Sequence, residues 1–492
     1  MNLALTLEYA ADRAPDAEAL VDGTTRLTYI DLRERVRSLA GGLSSMGLSR
    51  GSTVATVLTN RHETVELFWA CQWLGARIVP ISWRISEADV AYCIDDSGAD
   101  LVVFEPLSQT HAEASAGPGR TQVPVDDLPT AAPVPGAFEL DDEHIAIMLY
   151  TSGTTGRPKG VPRSHRAERG GALSQAYQHG YRTGERTLGV MPLFHTMGDH
   201  SMLAMSLLSG CYVCQPVWDP GHALGLIDRE RITSLYLAPT LFHDLVHDPG
   251  VGSSDLSSVR ALGYAGAAMT GALVERCVEV LAPEIFVNHY GSTEIYTYAI
   301  GSDQWLKPGC AGRPSVNASL RLVRPVPDAP CDDEVGSGED GEIICHMGSE
   351  EAFGGYWNRP EADARAIRDG WYFTGDLGRL DADGDLWILG RTDDMVISGG
   401  ENIHPLEVEE ALARAPGVIE VAVVGEPDDR LGEAVTAHVV AEPGVSADDL
   451  DGWCLASTDL ARFKRPRRYH LVESLPKSPS GKILRRLLRE RA

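Results

Sequence analysis

Strand-like apolar runs alternate along most of this chain with segments whose apolar positions recur at helical spacing. Residues 145–150 read as a buried strand, followed by a Gly/Thr/Ser loop and a helix starting near Ser164. Residues 187–194 read as a strand and 198–208 as a helix. The runs 234–238, 262–265 and 285–290 repeat the theme, each followed by a helical or turn segment. This alternation predicts an α/β fold with parallel strands in layers. The stretch 107–138 is rich in Pro, Ala, Gly and Ser, and is expected to connect two such subdomains. From Leu386 the texture changes. A hairpin ends at Gly390-Arg391-Thr392-Asp393-Asp394, then come a helix over 404–415, strands over 419–424 and 435–440, and a helix over 447–457. The expected architecture is a large N-terminal domain of layered α/β subdomains, residues 1–391, and a small mobile α+β domain, residues 392–492.

Composition narrows the partners. The 492 residues carry 70 acidic and 43 basic side chains, a net charge of −27. Such a surface repels phosphate backbones and anionic lipid, so nucleic acid and membrane are poor partners, and any anionic ligand needs a locally basic pocket. Only five of the basic residues are lysine, and a compact ammonium is not replaced by arginine. The nine cysteines are odd in number and scattered in apolar runs, which fits a reducing compartment better than a disulfide framework. The first residues lack a basic stretch before their apolar positions, and no apolar run approaches 18 residues. A cytoplasmic location is therefore expected.

Several short motifs resolve into turns and faces. Gly336-Ser337-Gly338-Glu339-Asp340-Gly341 has dinucleotide-binding spacing, but it sets two carboxylates where a pyrophosphate would sit and leads into a strand. Asp381-Ala382-Asp383-Gly384-Asp385 has its glycine fourth and no closing glutamate, so it reads as a hairpin turn rather than a calcium loop. His62-Glu63-Thr64-Val65-Glu66 has Glu where a zinc peptidase needs its second histidine, and His243 and His247 have no third ligand in view. Cys211 and Cys214, in a strand-like run, should face opposite sides of their sheet.

One segment concentrates chemistry. In Tyr150-Thr151-Ser152-Gly153-Thr154-Thr155-Gly156-Arg157-Pro158-Lys159-Gly160, a buried strand opens into a loop of glycines and hydroxyls with one of the rare lysines. Glycines let backbone N–H groups approach oxyanions, hydroxyls donate without bulk, and the lysine adds a point charge. Further motifs follow in order: Pro192-Leu193-Phe194-His195, Asn288-His289-Tyr290-Gly291-Ser292-Thr293-Glu294, Trp371-Tyr372-Phe373-Thr374-Gly375-Asp376, Gly390-Arg391-Thr392-Asp393-Asp394, Ile397-Ser398-Gly399-Gly400-Glu401-Asn402, and Pro476-Lys477 through Ser480-Gly481-Lys482. Over nearly its whole length the sequence resembles the adenylate-forming superfamily of acyl- and aryl-CoA synthetases, nonribosomal adenylation domains and beetle luciferases. The closest likeness is to 4-chlorobenzoate and other aryl-acid CoA ligases, through Gly399-Gly400-Glu401-Asn402-Ile403-His404-Pro405 and Phe463-Lys464-Arg465-Pro466.

The resemblance implies a set of roles. The loop Thr151, Ser152, Gly153, Thr154, Thr155, Gly156 and Lys159 would hold the β- and γ-phosphates of ATP. Tyr290 would stack on adenine, Gly291 and Ser292 would bind the nucleotide beside it, Thr293 would contact the α-phosphate, and Glu294 would help hold Mg²⁺. Asp376 would take the ribose hydroxyls, with Arg391 nearby. Lys482 would bridge carboxylate and α-phosphate in the transition state, where two anions meet. Asp393 matches the hinge about which the small domain rotates before thiol attack. Arg84, Ser398, Gly399, Glu401, Phe463 and Arg465 match CoA-contacting positions, and Leu431 stands where an aryl ligase uses Trp. Arg467 and Arg468 would serve CoA or form a solvated basic edge.

The same resemblance places the acid pocket at His195, Gly198, Ala265, Gly266, Tyr296 and Thr297. Small side chains on one wall leave room for a flat ligand. His195, grouped with Lys482 and Glu294 as a catalytic-site residue, would lie at the mouth as a gate or as a partner for a ring substituent rather than as a general base. The expected substrate is an aromatic acid of benzoate size or larger, a substituted naphthoate among the candidates. Mg²⁺ with ATP is the implied cofactor, CoA the co-substrate, and a homodimer the oligomer to be tested. Three other readings stay open: loading of a separate carrier protein, a fatty acyl-CoA ligase, and a non-catalytic nucleotide-binding protein. Thr196 stands where amino-acid-activating relatives bind an α-amine through Asp, although Asp199 is close by.

Overall fold

Runs of Val, Ile, Leu and Ala that are apolar at successive positions make strands that must be covered on both faces, and such strands favour parallel sheets. The structure is a computed structural model describing residues 1–115, 120–151, 157–326, 328–457, 460–478 and 482–489. Its first sheet places Thr121–Pro124, Leu101–Phe104, Thr53–Val57, Arg77–Pro80 and Ile145–Thr151 side by side in parallel. Lys159–Ser164 returns antiparallel beside Ile145–Thr151, with Thr151 opposite Lys159. The second sheet has a parallel centre of Ile285–Tyr290, Ala261–Tyr264, Ser234–Leu237, Arg186–Gly189, Cys211–Cys214 and Glu18–Asp22, in that spatial order.

The motifs singled out in the sequence follow the carboxyl ends of these strands: the loop after Thr151, the His195 segment after Gly189, the 265–268 turn after Tyr264 and the 291–294 turn after Tyr290. Open parallel sheets present their ligand crevices at that edge. A third, antiparallel sheet contains the hairpin of Trp371–Leu380 and Leu386–Arg391, with Asp376 opposite Arg391. The hairpin tip closes on a lysine. Lys307 Nζ lies 2.9, 2.6 and 2.6 Å from carboxylate oxygens of Asp381, Asp383 and Asp385, so an ammonium fills the position a cation would take in a metal loop.

Beyond Arg391 a separate sheet begins at Val396. The long strands Val418–Asp428 and Gly432–Ala441 pair antiparallel, and Arg468–Leu471 adds in parallel at the far side of the latter. Val421, Val423, Val435, Ala437 and Val439 pack one face of this sheet against the helices Pro405–Ala413 and Ala447–Ala456. Ala422 and Val424 on the other face meet Leu475 and Leu488.

Two sequence expectations change. The stretch 107–138 is more than a connection: it contains the helix Gln109–Ala114 and the edge strand Thr121–Pro124. An edge strand buries little, so its composition resembles a loop. The chain then crosses the helix Tyr29–Ser45, where Gly41 and Gly42 leave no room for a Cβ against the carbonyls of Ala132 and Pro129. The strand expected over 187–194 stops at Gly189. Two features meet at the break: Pro192 has no N–H to offer a ladder, and buried Asn60 donates its Nδ2 to Met191 O at 2.7 Å and to Gly189 O at 3.1 Å, the latter also accepting from Gln215 N at 3.2 Å. Cys211 and Cys214 do fall into two different cores, and the cysteines are free. Among the described residues no helix is long and apolar enough to cross a membrane.

Candidate active site

The nucleotide motifs converge between the third sheet and the carboxyl edge of the second. Tyr290 ends its strand and donates its hydroxyl to Asp376 Oδ2 at 2.7 Å, while Arg391 donates to Asp376 Oδ1 at 2.9 Å and to Thr374 O at 2.7 Å. Burial opposes the Arg391 charge, but the adjacent Asp376 carboxylate outweighs it and raises the guanidinium's pKa. Gly291 is required by packing, since a Cβ there would overlap Tyr296 O. Ser292 folds the turn, meeting the Tyr298 hydroxyl at 2.7 Å and accepting from Glu294 N at 3.1 Å.

Glu294 is buried, and its Oε1 accepts from the Tyr356 hydroxyl at 2.6 Å. Lys159 Nζ lies 4.1 Å from the centre of the Tyr356 ring. Burial lowers the lysine's pKa and Glu294 partly restores it. Lys159, Tyr356 and Glu294 thus form one cluster beside Thr293. Residues 152–156 of the phosphate-loop motif, Ser152, Gly153, Thr154, Thr155 and Gly156, lie outside the described residues.

Behind this cluster is a buried guanidinium that the motif reading did not single out. Arg163 is ion-paired with Glu168 and donates to Thr293 O at 2.8 Å and Glu351 O at 3.1 Å. Glu351 in turn accepts from Thr297 N at 2.8 Å. Asn60, Arg163 and Tyr356 were missed because each acts on another segment rather than on a motif of its own. The Gly354-Gly355 step before Tyr356 was the one local signal.

His195 caps the helix Thr196–Leu207, with Nδ1 accepting from Met197 N at 3.2 Å. Its pKa is lowered to about 4, first by burial, then by the charge of Lys482 and by His200. The small domain therefore brings Lys482 within electrostatic reach of His195. Gly198 faces the Met191 and Pro192 carbonyls, where a Cβ would fall within 2.4 Å of either oxygen, so its smallness serves packing of the helix. Gly266 opens differently: its φ is +82° and nothing stands within 4 Å of a Cβ position. Ala265 beside it is buried.

Tyr296 stacks on His200 with ring centres 3.8 Å apart and planes 7° from parallel. Its hydroxyl donates to Gln175 Oε1 at 2.6 Å and meets the Tyr236 hydroxyl at 3.3 Å. Thr297 is drawn inward to His289 Nε2 at 3.0 Å, so it belongs to the internal network behind Tyr296. Asp199 also points inward, 2.9 Å from His200 Nδ1, and burial and Glu168 hold its carboxyl above the usual range. That engagement leaves it poorly placed to meet a substrate amine.

The positions expected at the thiol end lie on both domains. Arg84 stacks on Trp83 at 4.7 Å and lines a cleft with Asn60, Pro192, Phe194 and Trp218, next to the His195 segment. On the small domain, Ser398 and Glu401 pair across a tight turn through Gly399 and Gly400, whose φ values of +62° and +87° suit glycine. Gly399 N donates to Leu431 O at 2.8 Å. Phe463 is 45% exposed, whereas Arg465 is ion-paired with Asp451. Arg468 is held by Glu426 and Asp428. At the boundary, Asp393 lies 3.7 Å from Arg391 and its carbonyl accepts from Arg489 at 3.3 Å.

Residues 7–357 match the model of the AMP-binding enzyme family, and residues 407–482 that of the AMP-binding enzyme C-terminal domain. The chain belongs to this adenylate-forming family and is an enzyme of its AMP-forming acid–thiol ligase class. It is 35% identical over 487 residues to a feruloyl-CoA synthase of an Amycolatopsis species, covering 98% of this chain and 97% of that protein. It is 36% identical over 506 residues to a 4-chlorobenzoate–CoA ligase of an Arthrobacter species, covering 98% and 94%. Among solved structures it is similar to the anthranilate CoA ligase AuaEII in complex with anthranoyl-AMP, with a TM-score of 0.91, 26% identity and coverage of 100% and 97%.

Proposed function

We propose that this enzyme joins an aromatic carboxylic acid to CoA in two steps. In the first, a carboxylate oxygen attacks the α-phosphorus of ATP, and the bond to pyrophosphate breaks to leave acyl-AMP. In the second, the CoA thiol attacks the acyl carbonyl, losing its proton, and the carbonyl–AMP bond breaks. The observation carrying this reading is the convergence of Lys159, Glu294, Tyr290, Asp376 and Arg391 around one site, with the charge of Lys482 reaching His195 from the other domain.

Two anions must meet in the first step, so fixed positive charge stabilises the transition state more than the separated reactants. Lys159 and Lys482 are suited to supply that charge at the polyphosphate and at the reacting centre. Glu294 fits a hard divalent cation, being a buried carboxylate whose orientation is set by Tyr356. Mg²⁺ held there would neutralise phosphate charge. His195 stays neutral because of its burial, which suits contact with the acid rather than proton abstraction. Asp376 and Arg391 are the groups for the ribose, and Tyr290 for the adenine. Arg84 and exposed Phe463 offer CoA a cation and a flat apolar surface.

The aromatic assignment rests on the open space at Gly266, the flat Tyr296–His200 pair and the three aryl-acid relatives. A panel of aryl and aliphatic acids with ATP and CoA, with acyl-CoA read by mass, tests the reading. Turnover of substituted aryl acids is expected. Preference for octanoate or acetate over every aryl acid would contradict it, and poor use of free CoA with all acids would favour a carrier-protein acceptor.

A further inference from the structure

The small domain carries a second group of side chains that the adenylation chemistry does not use. Glu426 on Val418–Asp428, His438 on Gly432–Ala441 and His470 on Arg468–Leu471 turn to the same face of the sheet. His438 and His470 are register partners on adjacent parallel strands, with ring centres 4.9 Å apart. Glu426 Oε1 lies 3.4 Å from His470 Nε2 and 3.8 Å from His438 Nε2. One ligand atom from each of the three residues falls within 4.8 Å of the others.

We propose that Glu426, His438 and His470 bind a divalent transition-metal ion of the zinc class. Bonds of about 2.0–2.1 Å in a tetrahedral site put ligand atoms roughly 3.3 Å apart, against 3.4 and 3.8 Å from Glu426 Oε1 to the two imidazoles. A second observation points the same way. The Glu426 side chain is only 4% exposed, yet its Oε1 has no hydrogen-bond partner among the described residues. Its other oxygen accepts from Arg468 at 2.9 Å. A carboxylate fixed at one oxygen and directed at two imidazoles with the other matches the outer-shell support that orients metal ligands. Two imidazoles and one carboxylate select zinc, cobalt or nickel over magnesium or calcium. His470 is 47% exposed, giving an ion access from solvent and leaving a position for water.

Such an ion would tie three strands together. The last of them, Arg468–Leu471, follows directly on the segment holding Phe463 and Arg465.

The test uses the full chain, stripped of metal by chelator and free of nucleotide, titrated with Co²⁺ and then Zn²⁺. One equivalent of Co²⁺ should bind with the visible absorption of a low-coordinate site and be displaced by Zn²⁺. Zn²⁺ should raise the melting temperature and slow amide exchange over 468–471. His470→Ala, which removes a half-exposed side chain and is expected to fold, should weaken binding at least tenfold and abolish both effects. His62→Ala, which alters the separate Asp22–His62–Glu63 group, should leave them intact. Failure of the wild type to bind Co²⁺ stoichiometrically, or undiminished binding by His470→Ala, would overturn the proposal.

Discussion

Tyr356 shows how a single side chain links two charged groups, Lys159 and Glu294, of the proposed nucleotide site. Its Oη holds Glu294 Oε1 at 2.6 Å, and its ring lies under the Lys159 ammonium. Tyr356→Phe keeps the ring and removes only the donor. A hydrogen bond to a charged group contributes about 1.5–3 kcal/mol, so kcat/KM for ATP should fall by roughly 10- to 150-fold, with the Mg²⁺ requirement raised. Unchanged Mg²⁺ dependence would separate Tyr356 from Glu294. His179 gives a pH signature at the same scale. It is fully buried against Tyr236 and His289, and burial lowers its pKa to about 3. Protonation is thus taken up on unfolding: its contribution is fully present above the unfolded value near 6.5 and is lost as pH falls toward 3. Between about pH 6 and 4 the wild type should lose about 1.4 kcal/mol of stability per pH unit more than His179→Gln. Urea unfolding at stepped pH measures this, and parallel pH profiles would contradict it.

Among the elements, those that were legible in the sequence had apolar runs with clear ends. Ile285–Tyr290 sits where it was expected, and the helix expected near Ser164 begins at His165, with the Ser164 hydroxyl capping Ala167 N. Less legible elements were fixed by distant partners: Asn60 holds the segment beyond Gly189 through Met191 O, and the edge strand Thr121–Pro124 is recruited by Leu101–Phe104. The candidate site divides the same way. Residues inside motifs could be named, whereas Arg163, Tyr356 and Asn60 act through backbone or side chains far along the chain, which no local pattern records. The connection between the domains carries its own test. Thr392 N donates to Gly375 O at 2.9 Å, and the next residue, Asp393, precedes the small sheet. Asp393→Pro fixes φ near −65° and should leave adenylate formation largely intact while slowing thioester formation. Wild-type rates in both steps would place the hinge elsewhere.

At the scale of the whole molecule, a strongly acidic chain must bring ATP and a carboxylate together, and Lys159, Arg391 and Lys482 are the cations proposed for that task. The small domain rests on the large one through contacts such as Gly271 N to Glu410 at 3.2 Å and His404 to Asp340 at 3.1 Å, and the charge of Lys482 acts to lower the pKa of His195. Under the proposed mechanism, the first half-reaction needs Lys482 at the reacting centre. A rotation that opened the thiol path would carry Lys482 away. The most direct measurement is therefore of Lys482→Ala in the two half-reactions separately. Adenylate formation, read by pyrophosphate release, should fall by a factor on the order of 10²–10³ through loss of one preorganised charge. Thiolysis of supplied acyl-adenylate by CoA should remain near the wild-type rate. Equal losses in both half-reactions, or none in the first, would contradict the account.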